Sequence, residues 1–580
     1  MSMAPGVQVP PHPFQIHASA FAERLTLICG NAHLASTGRQ VVENSTYVFT
    51  GFAPVRVDLF SDWTADPYGS RSWQWNTAAF NFLPAVIAYH AANGSPAAID
   101  FALQTVDSWR KAAATVLGDY EFARHDHASA IRAENTMLLL AYLHSRGLAQ
   151  DRWEGLAALV DEIASLLEEE SFYSRHTNHG IEQSRVLALA ADMFPACEAS
   201  NRRWKLAEQR LTDELGFAFT DEGVNVENSP AYHLYVCGIF LRIIDELPRE
   251  ELVALRAAVD AVMPKAMEFI THMIRPDGML PIIGDTAARS AGNRFRRYFG
   301  CPQYQWLEYA TSGRVRGQPP AKSIAAFPEA GYLVVRDRWK PPRAPGREFH
   351  LILKCGCRSR YHRHDDDFNI VLVCGEDWLI DGGAYSYDEN DVVRRYLRSK
   401  WAHNVPVVDE GERWLPVPRK LHNAQLKVRQ DGQRTIAVAI SAAYDGYSAS
   451  RRLTVQPRKR CFSVQDRIEP VVVGAKRMFR SLWHVPAERD IYRRGQDILV
   501  RSRKGPQAMS IRSVGVGFDE VGLLRPGLPG HANGVVSWQA NKLKPAKIVA
   551  FSILAGALDS RLEFNLFEIP DPLEDGWEPL

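Results

Sequence analysis

The first half of the chain carries the hydrophobic periodicity of amphipathic α-helices. Apolar side chains recur at helical spacing over residues 156–167 and again over residues 252–267. Further helices are predicted near residues 76–92, 98–117, 129–146 and 201–215, and breakers such as Asn93-Gly94-Ser95-Pro96 separate them. Because helices follow one another without strands up to about Gly300, the pattern predicts an all-α domain of helical hairpins.

The pattern changes after a segment rich in glycine, proline and basic residues. This segment, 312–322 (SGRVRGQPPAK), is typical of a linker between domains. Beyond it come short β-type runs separated by turn residues, at 332–335, 349–353, 368–374, 378–380, 436–440, 462–468, 498–500 and 548–554. Many short strands without intervening helices predict an antiparallel β-sandwich.

The predicted fold class is therefore multidomain, α and β. We expect an N-terminal extension, a helical domain, a linker and a β-sandwich domain, with the bounds 1–40, 41–311, 312–325 and 326–580. A chain of 580 residues exceeds what one hydrophobic core normally serves, which agrees with two large domains.

Composition excludes some classes of function. The 68 Lys and Arg residues nearly cancel the 67 Asp and Glu residues, so we expect no nucleic-acid partner, which would need a basic excess. The eight cysteines are scattered, unlike those of a disulfide scaffold. No apolar run reaches the length of a membrane span, and residues 1–17 lack a signal-peptide pattern. We expect either a cytoplasmic protein or one exported by a leader that this sequence does not contain.

Three clusters of polar residues carry the candidate chemistry. They are 178–183 (NHGIEQ), 227–233 (ENSPAYH), and a third made of 361–367 (YHRHDDD), 381–383 (DGG) and 401–404 (WAHN). On an extended strand, His362 and His364 would share one face. Histidines with Asp381 and His403 suit zinc or a similar divalent ion. A histidine–aspartate hydrogen-bond network without metal explains the same residues equally well.

Together these clusters resemble the heparinase II/III-like polysaccharide lyases. The resemblance lies in the Asn-His-Gly segment followed by Gln183, in the Ser-Pro-x-Tyr-His segment, and in the series His-x-His-x-Asp, Asp-x-Gly and His-Asn. Residues 281–285 (PIIGD) also resemble a stretch near the end of that family's helical domain. The resemblance implies an incomplete α/α toroid followed by an antiparallel β-sandwich, in the same order as the predicted domains.

The resemblance further implies a lyase that cleaves a uronic-acid-containing glycan by β-elimination. The reaction requires that the carboxylate next to C5 is neutralised, that a base takes the C5 proton, and that an acid protonates the departing O4. By resemblance, Asn178 binds the substrate carboxylate, and His179 assists it or acts as the base. Tyr232 protonates the leaving oxygen, with Tyr235 in reserve, and His362 is a second candidate base.

Other residues are expected to contact the glycan or to hold a metal. The candidates for substrate contact, each of which also suits a structural role, are Arg132, Glu182 and Tyr385. The resemblance implies a divalent metal, zinc first and calcium second, that orders the cleft without doing chemistry; its ligands would be His364, Asp381 and His403. Asn178 also suits a helix N-cap. Three consecutive acids, 365–367, depart from the family's pattern.

Two other functions compete with the lyase. A glycoside hydrolase needs two carboxylates at the scissile bond, and only Glu182 and Glu227 lie near the right segments. A non-catalytic glycan-binding or exopolysaccharide-assembly protein would have no need of the full set of catalytic candidates. The expected partner is an acidic polysaccharide or oligosaccharide, namely a heparan-like glycosaminoglycan, alginate or a bacterial capsular polysaccharide.

Overall fold

The architecture is that of a computed structural model, which describes residues 16–248, 250–339, 348–411, 421–515 and 517–580. No signal peptide is predicted in residues 1–17, and residues 1–15 of that segment lie outside the described ranges. The helices are α1 (Ala22–Cys29), α2 (Ala32–Asn44), α3 (Arg71–Ala78), α4 (Leu83–Asn93), α5 (Pro96–Thr115), α6 (Asp126–Arg146), α7 (Trp153–Glu168), α8 (Asn178–Met193), α9 (Ser200–Ala218), α10 (Pro230–Glu246), α11 (Val253–Met273), α12 (Gln305–Thr311) and α13 (Val392–Arg398).

The strands begin at residue 46 and continue to the end of the chain. They are β1 (Thr46–Tyr47), β2 (Val55–Arg56), β3 (Ile324–Phe327), β4 (Tyr332–Arg336), β5 (Phe349–Lys354), β6 (Asn369–Cys374), β7 (Asp377–Leu379), β8 (Pro406–Asp409), β9 (Ala424–Asp431), β10 (Arg434–Ser441), β11 (Tyr447–Gln456), β12 (Cys461–Pro470), β13 (Arg477–Pro486), β14 (Asp490–Arg494), β15 (Asp497–Arg501), β16 (Gln507–Ser513), β17 (Glu520–Leu524), β18 (Gly534–Gln539), β19 (Lys542–Ala555), β20 (Leu558–Glu568) and β21 (Glu578–Pro579).

The chain forms two compact units. The helical unit comprises the residues up to Phe217 together with Phe240–Val259, and the sheet unit comprises Ala218–Ile239 and Asp260–Leu580. A helical region followed by an antiparallel β region confirms the predicted fold class.

Helix ends in the helical unit follow the predicted breakers. Gly94 adopts left-handed backbone (φ 71°) and its N–H donates to the His90 carbonyl, which ends α4. Pro96 is the first residue of α5, where its missing N–H costs no helical hydrogen bond. The helix predicted near residues 98–117 therefore occupies Pro96–Thr115.

One predicted helix is divided in two. The periodicity favours a single helix over residues 76–92, but α3 ends at Ala78 and α4 begins at Leu83. Phe80 lies between them with φ 59°, a conformation that no α-helix contains. Its ring is fully buried and packs edge-on against Trp109, with the centroids 5.6 Å apart. Aromatic packing has therefore overridden the helical period.

The segment predicted as an N-terminal extension contributes to the helical core. It contains α1 and most of α2, and α2 begins at the N-cap Asn31, whose side chain accepts hydrogen bonds from His33 and Leu34. Gly38 of α2 lies against α4, since a Cβ atom on it would stand 2.0 Å from the Ala85 carbonyl oxygen. Only a glycine permits this close approach of the two helices.

The sheet unit contains three antiparallel sheets. Nine strands form the largest, in the order β21-β14-β15-β16-β20-β12-β11-β10-β9. The second has the order β17-β19-β13-β8, with β18 also paired to β19, and the third has the order β3-β4-β5-β6-β7. One buried apolar cluster joins side chains of all three sheets, including Leu351, Trp483 and Phe564. This is the predicted antiparallel sandwich layout.

The segment predicted as a linker is packed within the sheet unit. Residues 312–323 connect α12 to β3, and Arg314 pairs with the buried carboxylate of Glu348. Gly317 lies so close to α12 that a Cβ atom would stand 2.3 Å from the Gln305 carbonyl oxygen. The division between the two compact units falls elsewhere, within or beside α9, α10 and α11. The glycine-, proline- and arginine-rich composition of this segment therefore indicates a connection that packs against its own unit.

Two further properties concern the chain as a whole. Within the described ranges, no α-helix combines the length and the apolar character that crossing a membrane requires. The eight cysteines all lie in the described ranges, and none of them forms a disulfide.

We predict opposite effects of alanine at two helical glycines. Gly38→Ala should force α2 and α4 apart and lower the free energy of unfolding by about 1–3 kcal/mol. Gly155 lies in α7 with open space around its Cβ position, so Gly155→Ala should raise it by about 0.5–1 kcal/mol. Thermal unfolding checks both, and a neutral Gly38→Ala would contradict the close approach.

Candidate active site

Tyr232 is placed by a sharp turn at the start of α10. Asn228 has left-handed backbone (φ 59°), and Pro230 opens the helix, where proline is favoured. The Asn228 amide donates to the carbonyl oxygens of Ser359 and Tyr361, at 2.9 Å each. The turn that carries Tyr232 therefore also fixes the loop that carries His362.

His362 stacks on Tyr232. The two ring centroids are 3.5 Å apart and the planes meet at 18°. Nδ1 of His362 lies 3.0 Å from Asp285 Oδ2, and Nε2 lies 3.4 Å from Glu227 Oε2. The predicted extended strand is wrong here, because His362 lies in a loop and has φ 51°. His362 and His364 are brought together by a common bond to Asp285 instead.

Asp285 is a buried carboxylate with three cationic or imidazole partners. Arg394 donates to both of its oxygens, His362 binds it through Nδ1, and Nε2 of His364 lies 2.9 Å from Oδ1. Burial alone would raise the pKa of Asp285, but these hydrogen bonds hold it well below its usual range. The carboxyl group is therefore ionised and can only accept hydrogen bonds.

Arg394 lies on a helix of seven residues that the hydrophobic periodicity does not predict. The helix is α13, and the carboxylate of Asp391 caps it by accepting from the backbone N–H groups of Val393 and Arg394. Tyr396 and Leu397 are buried on its inner side. The Asp391 cap followed by apolar residues was the available signal, and the short length of the helix hid it.

A second tyrosine completes this group. The hydroxyl of Tyr232 lies 2.8 Å from that of Tyr387, whose side chain is 65% exposed. Tyr385, the predicted substrate contact, is partly buried and packs against the apolar core of the sandwich. We call Tyr232, His362, Asp285, Arg394 and Tyr387 the tyrosine cluster. Burial first, and then Tyr387, raise the pKa of Tyr232 above its ordinary value, so its phenol is protonated at neutral pH.

His233, next to Tyr232, is structural. The Asn225 backbone N–H donates to its Nδ1, so Nε2 carries the proton and donates to the Ala266 carbonyl at 2.9 Å. Burial lowers the pKa of His233 to about 4, and the ring stays neutral.

The predicted metal ligands keep unpaired donor atoms. His403 Nδ1 binds Asp381, and the rings of His364 and His403 have centroids 5.4 Å apart. His364 Nδ1, Asp381 Oδ2 and His403 Nε2 are buried without a hydrogen-bond partner. Among the described residues, however, no three His, Cys, Asp or Glu side chains stand together as a metal-binding group. The three donor atoms are therefore of the kinds that bind a divalent ion, but their side chains are not arranged around a common point in this structure.

The three consecutive acids of the third cluster each have a cationic or imidazole partner. Asp365 pairs with Lys400, and Asp366 with the buried Lys354 at 2.6 Å. Asp367 binds His422 at 2.5 Å and raises the pKa of that imidazole to about 9, although burial opposes the shift. The negative charge of these three acids is therefore neutralised locally.

A second cluster lies in the helical unit at the start of α8. Asn178 is the first residue of the helix, and the N-cap is Thr177, whose hydroxyl accepts from Gly180 at 3.1 Å. The N-cap interpretation of Asn178 is therefore wrong. In the described structure its side-chain amide has no hydrogen-bond partner, which leaves two donors available.

His179 is held by a carboxylate that the sequence analysis did not single out. Its Nδ1 lies 3.0 Å from Asp126 Oδ2, and its ring stacks on His127 at 4.4 Å. Burial would raise the pKa of Asp126, but bonds from His125, His179 and Ser174 lower it below its usual range. The ionised carboxylate accepts a hydrogen bond from the Nδ1–H of His179, which leaves the lone pair of the ring on Nε2. We call Asn178, His179 and Asp126 the Asn178 cluster.

The loop before α8 is fixed by two buried polar side chains. Gln183 accepts from the Ser174 N–H and donates to the Phe172 carbonyl, both at 2.8 Å. Glu214 accepts from the His176 N–H at 2.8 Å, and burial raises its pKa to about 7. The Asn178 cluster therefore stands on a preorganised backbone.

Two predicted substrate contacts are structural residues. Arg132 is buried and donates to the Ala78 and Ala123 carbonyls at 2.9 Å each. Glu182 is buried between Arg185 and Arg242, at 2.7 and 2.6 Å. Both expectations of glycan contact are therefore corrected, because these side chains are buried and bonded inside the helical unit.

Two family models match the chain. The N-terminal model, described as "Heparinase II/III N-terminus", matches residues 28–308, and the one described as "Heparinase II/III-like, C-terminal" matches residues 319–554. The chain belongs to the heparinase II/III-like family. The resemblance found in the sequence motifs is confirmed.

Members of the heparinase II/III-like family with similar sequences include two heparin-sulfate lyases. The one from Bacteroides stercoris is 22% identical over 249 residues, which are 40% of this chain and 35% of the relative. The one from Pedobacter heparinus is 22% identical over 247 residues, which are 41% and 37%. The chain thus matches little more than a third of the length of these curated relatives.

Solved structures of the family share the fold. A crystal structure of Heparinase III has a TM-score of 0.74 at 14% identity and covers 95% of this chain and 87% of that chain. Heparan sulfate lyase HepC from Pedobacter heparinus has a TM-score of 0.70 at 17% identity, with 93% and 84% covered. At these identities the likeness shows the fold alone.

Asp285→Asn should destabilise this heparinase II/III-like protein by about 3 kcal/mol, because the buried Arg394 would lose its bidentate carboxylate partner and keep only a 4.0 Å ion pair with the exposed Glu389. Asp277→Asn is the matched control. Asp277 pairs with Arg275 but is 49% exposed, so its loss should cost less than about 1 kcal/mol. Denaturant unfolding followed by tryptophan fluorescence compares the two, and equal effects would contradict the central role of Asp285.

Proposed function

We propose that the protein is a polysaccharide lyase that cleaves an acidic glycan at a 4-linked uronate by β-elimination. The observation that carries the proposal is the Tyr232–His362 stack, supported from behind by the buried Asp285–Arg394 pair. Two proton-transfer groups in contact, held by a rigid charged support, suit a reaction that removes one proton and delivers another.

Tyr232 is the proposed acid. Its phenol has a raised pKa and is therefore protonated when substrate arrives. The departing O4 takes this proton as the C4–O4 bond breaks. The Tyr387 hydroxyl lies 2.8 Å from the Tyr232 hydroxyl and can return a proton to it after turnover.

The base is assigned to the same stack. The His362 imidazole takes the C5 proton, since its ring lies against Tyr232, whose phenol already carries the proton that goes to O4. The electron pair released at C5 forms the C4–C5 double bond, and the product carries a 4,5-unsaturated uronate. Loss of turnover in both His362→Ala and His362→Gln would support this assignment, and turnover retained in His362→Gln would contradict it.

The Asn178 cluster is proposed to neutralise the uronate carboxylate. The Asn178 amide donates without adding charge, and it has no competing partner among the described side chains. His179 is oriented by Asp126 and can donate to the carboxylate or assist as a base. Stabilising the charge that develops on the carboxylate is normally the largest contribution in such a reaction.

The proposed substrate class is a glycosaminoglycan of the heparan type. The support is the similarity to proteins named heparin-sulfate lyases. Alginate and bacterial capsular polysaccharides are the other candidate uronate glycans. A hydrolase is disfavoured, because Glu182 is locked between two arginines and its pKa is lowered, so it cannot serve as the protonated acid.

Tyr232→Phe should lower kcat by about 10²–10⁴-fold while KM changes little, because the variant removes a proton donor and leaves the ring. The measurement is ultraviolet absorbance of the conjugated product on heparan sulfate, chondroitin, hyaluronan, alginate and polyglucuronate. New reducing ends without absorbance would indicate hydrolysis instead.

Tyr235→Phe is the matched control for this variant. Tyr235 lies one helical turn from Tyr232, with the ring centroids 6.2 Å apart. It should retain most of the wild-type turnover. Full activity in Tyr232→Phe, or equal loss in both variants, would overturn the assignment of the acid.

We also propose that His364, Asp381 and His403 hold a divalent ion. The support is their three unpaired, buried donor atoms. Two imidazole nitrogens and one carboxylate oxygen favour zinc over calcium, which prefers oxygen ligands. The ion would order the loops that carry these residues, and no proton transfer is assigned to it.

Elemental analysis of protein purified without chelators should find about one zinc per chain. His403→Ala should lose the metal, and chelation should lower the Tm of the wild type and leave that of the variant unchanged. His422→Ala, a histidine of the same unit outside the proposed set, should retain the metal. Metal-free wild-type protein would favour the hydrogen-bond network.

A further inference from the structure

The outer face of the nine-stranded sheet carries a groove of about 550 Å³ outside both catalytic clusters. Its floor is formed by strands β9, β10, β11, β12 and β20, which are neighbours in the sheet. Five strands at about 4.8 Å spacing span about 19 Å, which suits an extended chain better than a single sugar.

Arginines line this groove because of the strand register. Val438 pairs with Arg452, Arg452 with Gln465, and Gln465 with Arg561, so their side chains share one face. Arg429 and Arg434 reach the same face from the adjacent hairpin. Four guanidinium groups therefore border the groove on four different strands.

The charge of the groove is not balanced. Its two carboxylates are each paired, Asp431 with Arg429 at 3.9 Å and Glu563 with Arg561 at 2.7 Å. Arg434 and Arg452 have no carboxylate partner in the described part of the chain, and both are exposed. Two arginines are thus available for an anionic ligand, although the whole chain has a formal charge of only +1.

The uncharged polar side chains of the groove indicate which class of ligand it binds. Gln456, Gln465 and Asn565 supply amides and Thr454 and Ser463 supply hydroxyls, which suit sugar hydroxyl groups. The aromatic side chain that lines the groove, Phe462, is 97% buried and offers no stacking platform. Without stacking surfaces, neutral sugars and nucleic-acid bases gain little here, whereas carboxylates and sulfates gain charge-assisted bonds.

We propose that this groove is a second binding site for the acidic glycan chain, which holds polymeric substrate by charge while cleavage takes place elsewhere. The choice of ligand rests on the proposed function. Arginine binds carboxylate and sulfate groups in a bidentate manner, so the site recognises charge density along the chain and not one sugar. Binding should weaken strongly with salt, since the groove is open to solvent.

The test compares two charge-matched double variants. Arg434→Gln with Arg452→Gln removes the unpaired cations of the groove. Arg493→Gln with Arg525→Gln removes two exposed arginines elsewhere on the sheet unit. Arg434→Lys with Arg452→Lys keeps the charge and loses the bidentate geometry. All of these side chains are exposed, so an unchanged Tm is expected throughout.

Binding is measured by calorimetry with heparan sulfate chains, alginate and dextran in the Tyr232→Phe background, where the chains stay intact. The groove pair should weaken heparan sulfate binding about tenfold at about 0.05 M salt, the lysine pair less, and the control pair less than twofold. Dextran should not bind. Equal affinities in the groove and control pairs would overturn the proposal, and single-stranded DNA binding as tight as heparan sulfate would assign the groove to nucleic acid.

Kinetics separate this proposal from the proposed lyase activity. With Tyr232 intact, the groove pair should raise KM for the polymer several-fold and leave kcat/KM for a tetrasaccharide within about twofold. Absence of elimination on any glycan would refute the lyase and leave the binding measurement as the test of the groove. Equal losses on polymer and tetrasaccharide would show that the arginines act on the catalytic site, which also overturns the proposal.

Discussion

The buried carboxylate of Asp285 is the constraint on which the sheet-unit site depends. A charge removed from water is tolerated only where opposite charges and donors compensate it, and here Arg394, His362 and His364 provide that compensation. Arg394 comes from α13, whereas His362 and His364 come from the loop between β5 and β6. The contacts of Asp285 therefore fix the positions of α13 and of the loop that carries both histidines. The stack of His362 on Tyr232 extends this constraint to Tyr232.

The sequence predicted the element types well where the patterns are long. α5, α7 and α11 keep their helical period over four or more turns, and the β runs are bounded by turn residues, so local preference and tertiary packing agree. The prediction of element types was wrong where the packing of one side chain outweighs the local helical preference, or where an element is very short. Phe80 breaks a predicted helix because its ring fills the aromatic core, and α13 is too short to show a period.

The candidate site was predicted in part for the same reason. Motifs singled out Asn178, Tyr232 and His362, because these residues lie in recognisable local patterns. Asp126 and Tyr387, together with a role for Asp285, were missed, since their meaning depends on partners 53 to 155 positions away in the chain. The run His125-Asp126-His127 was the available signal for Asp126. Arg132 and Glu182 show the converse error, in which a polar residue near a motif proves to be internal support.

The left-handed backbone of Asn228 and His362 has a consequence for what position 362 can hold. Asparagine and histidine are among the non-glycine residues that adopt this conformation most often, although it costs each of them of order 1 kcal/mol or more relative to glycine. Glycine at position 362 would relax the loop and remove the ring that stacks on Tyr232. It would also remove one partner of the buried Asp285 carboxylate, so the strained backbone at this position is retained by the same contacts that serve the site.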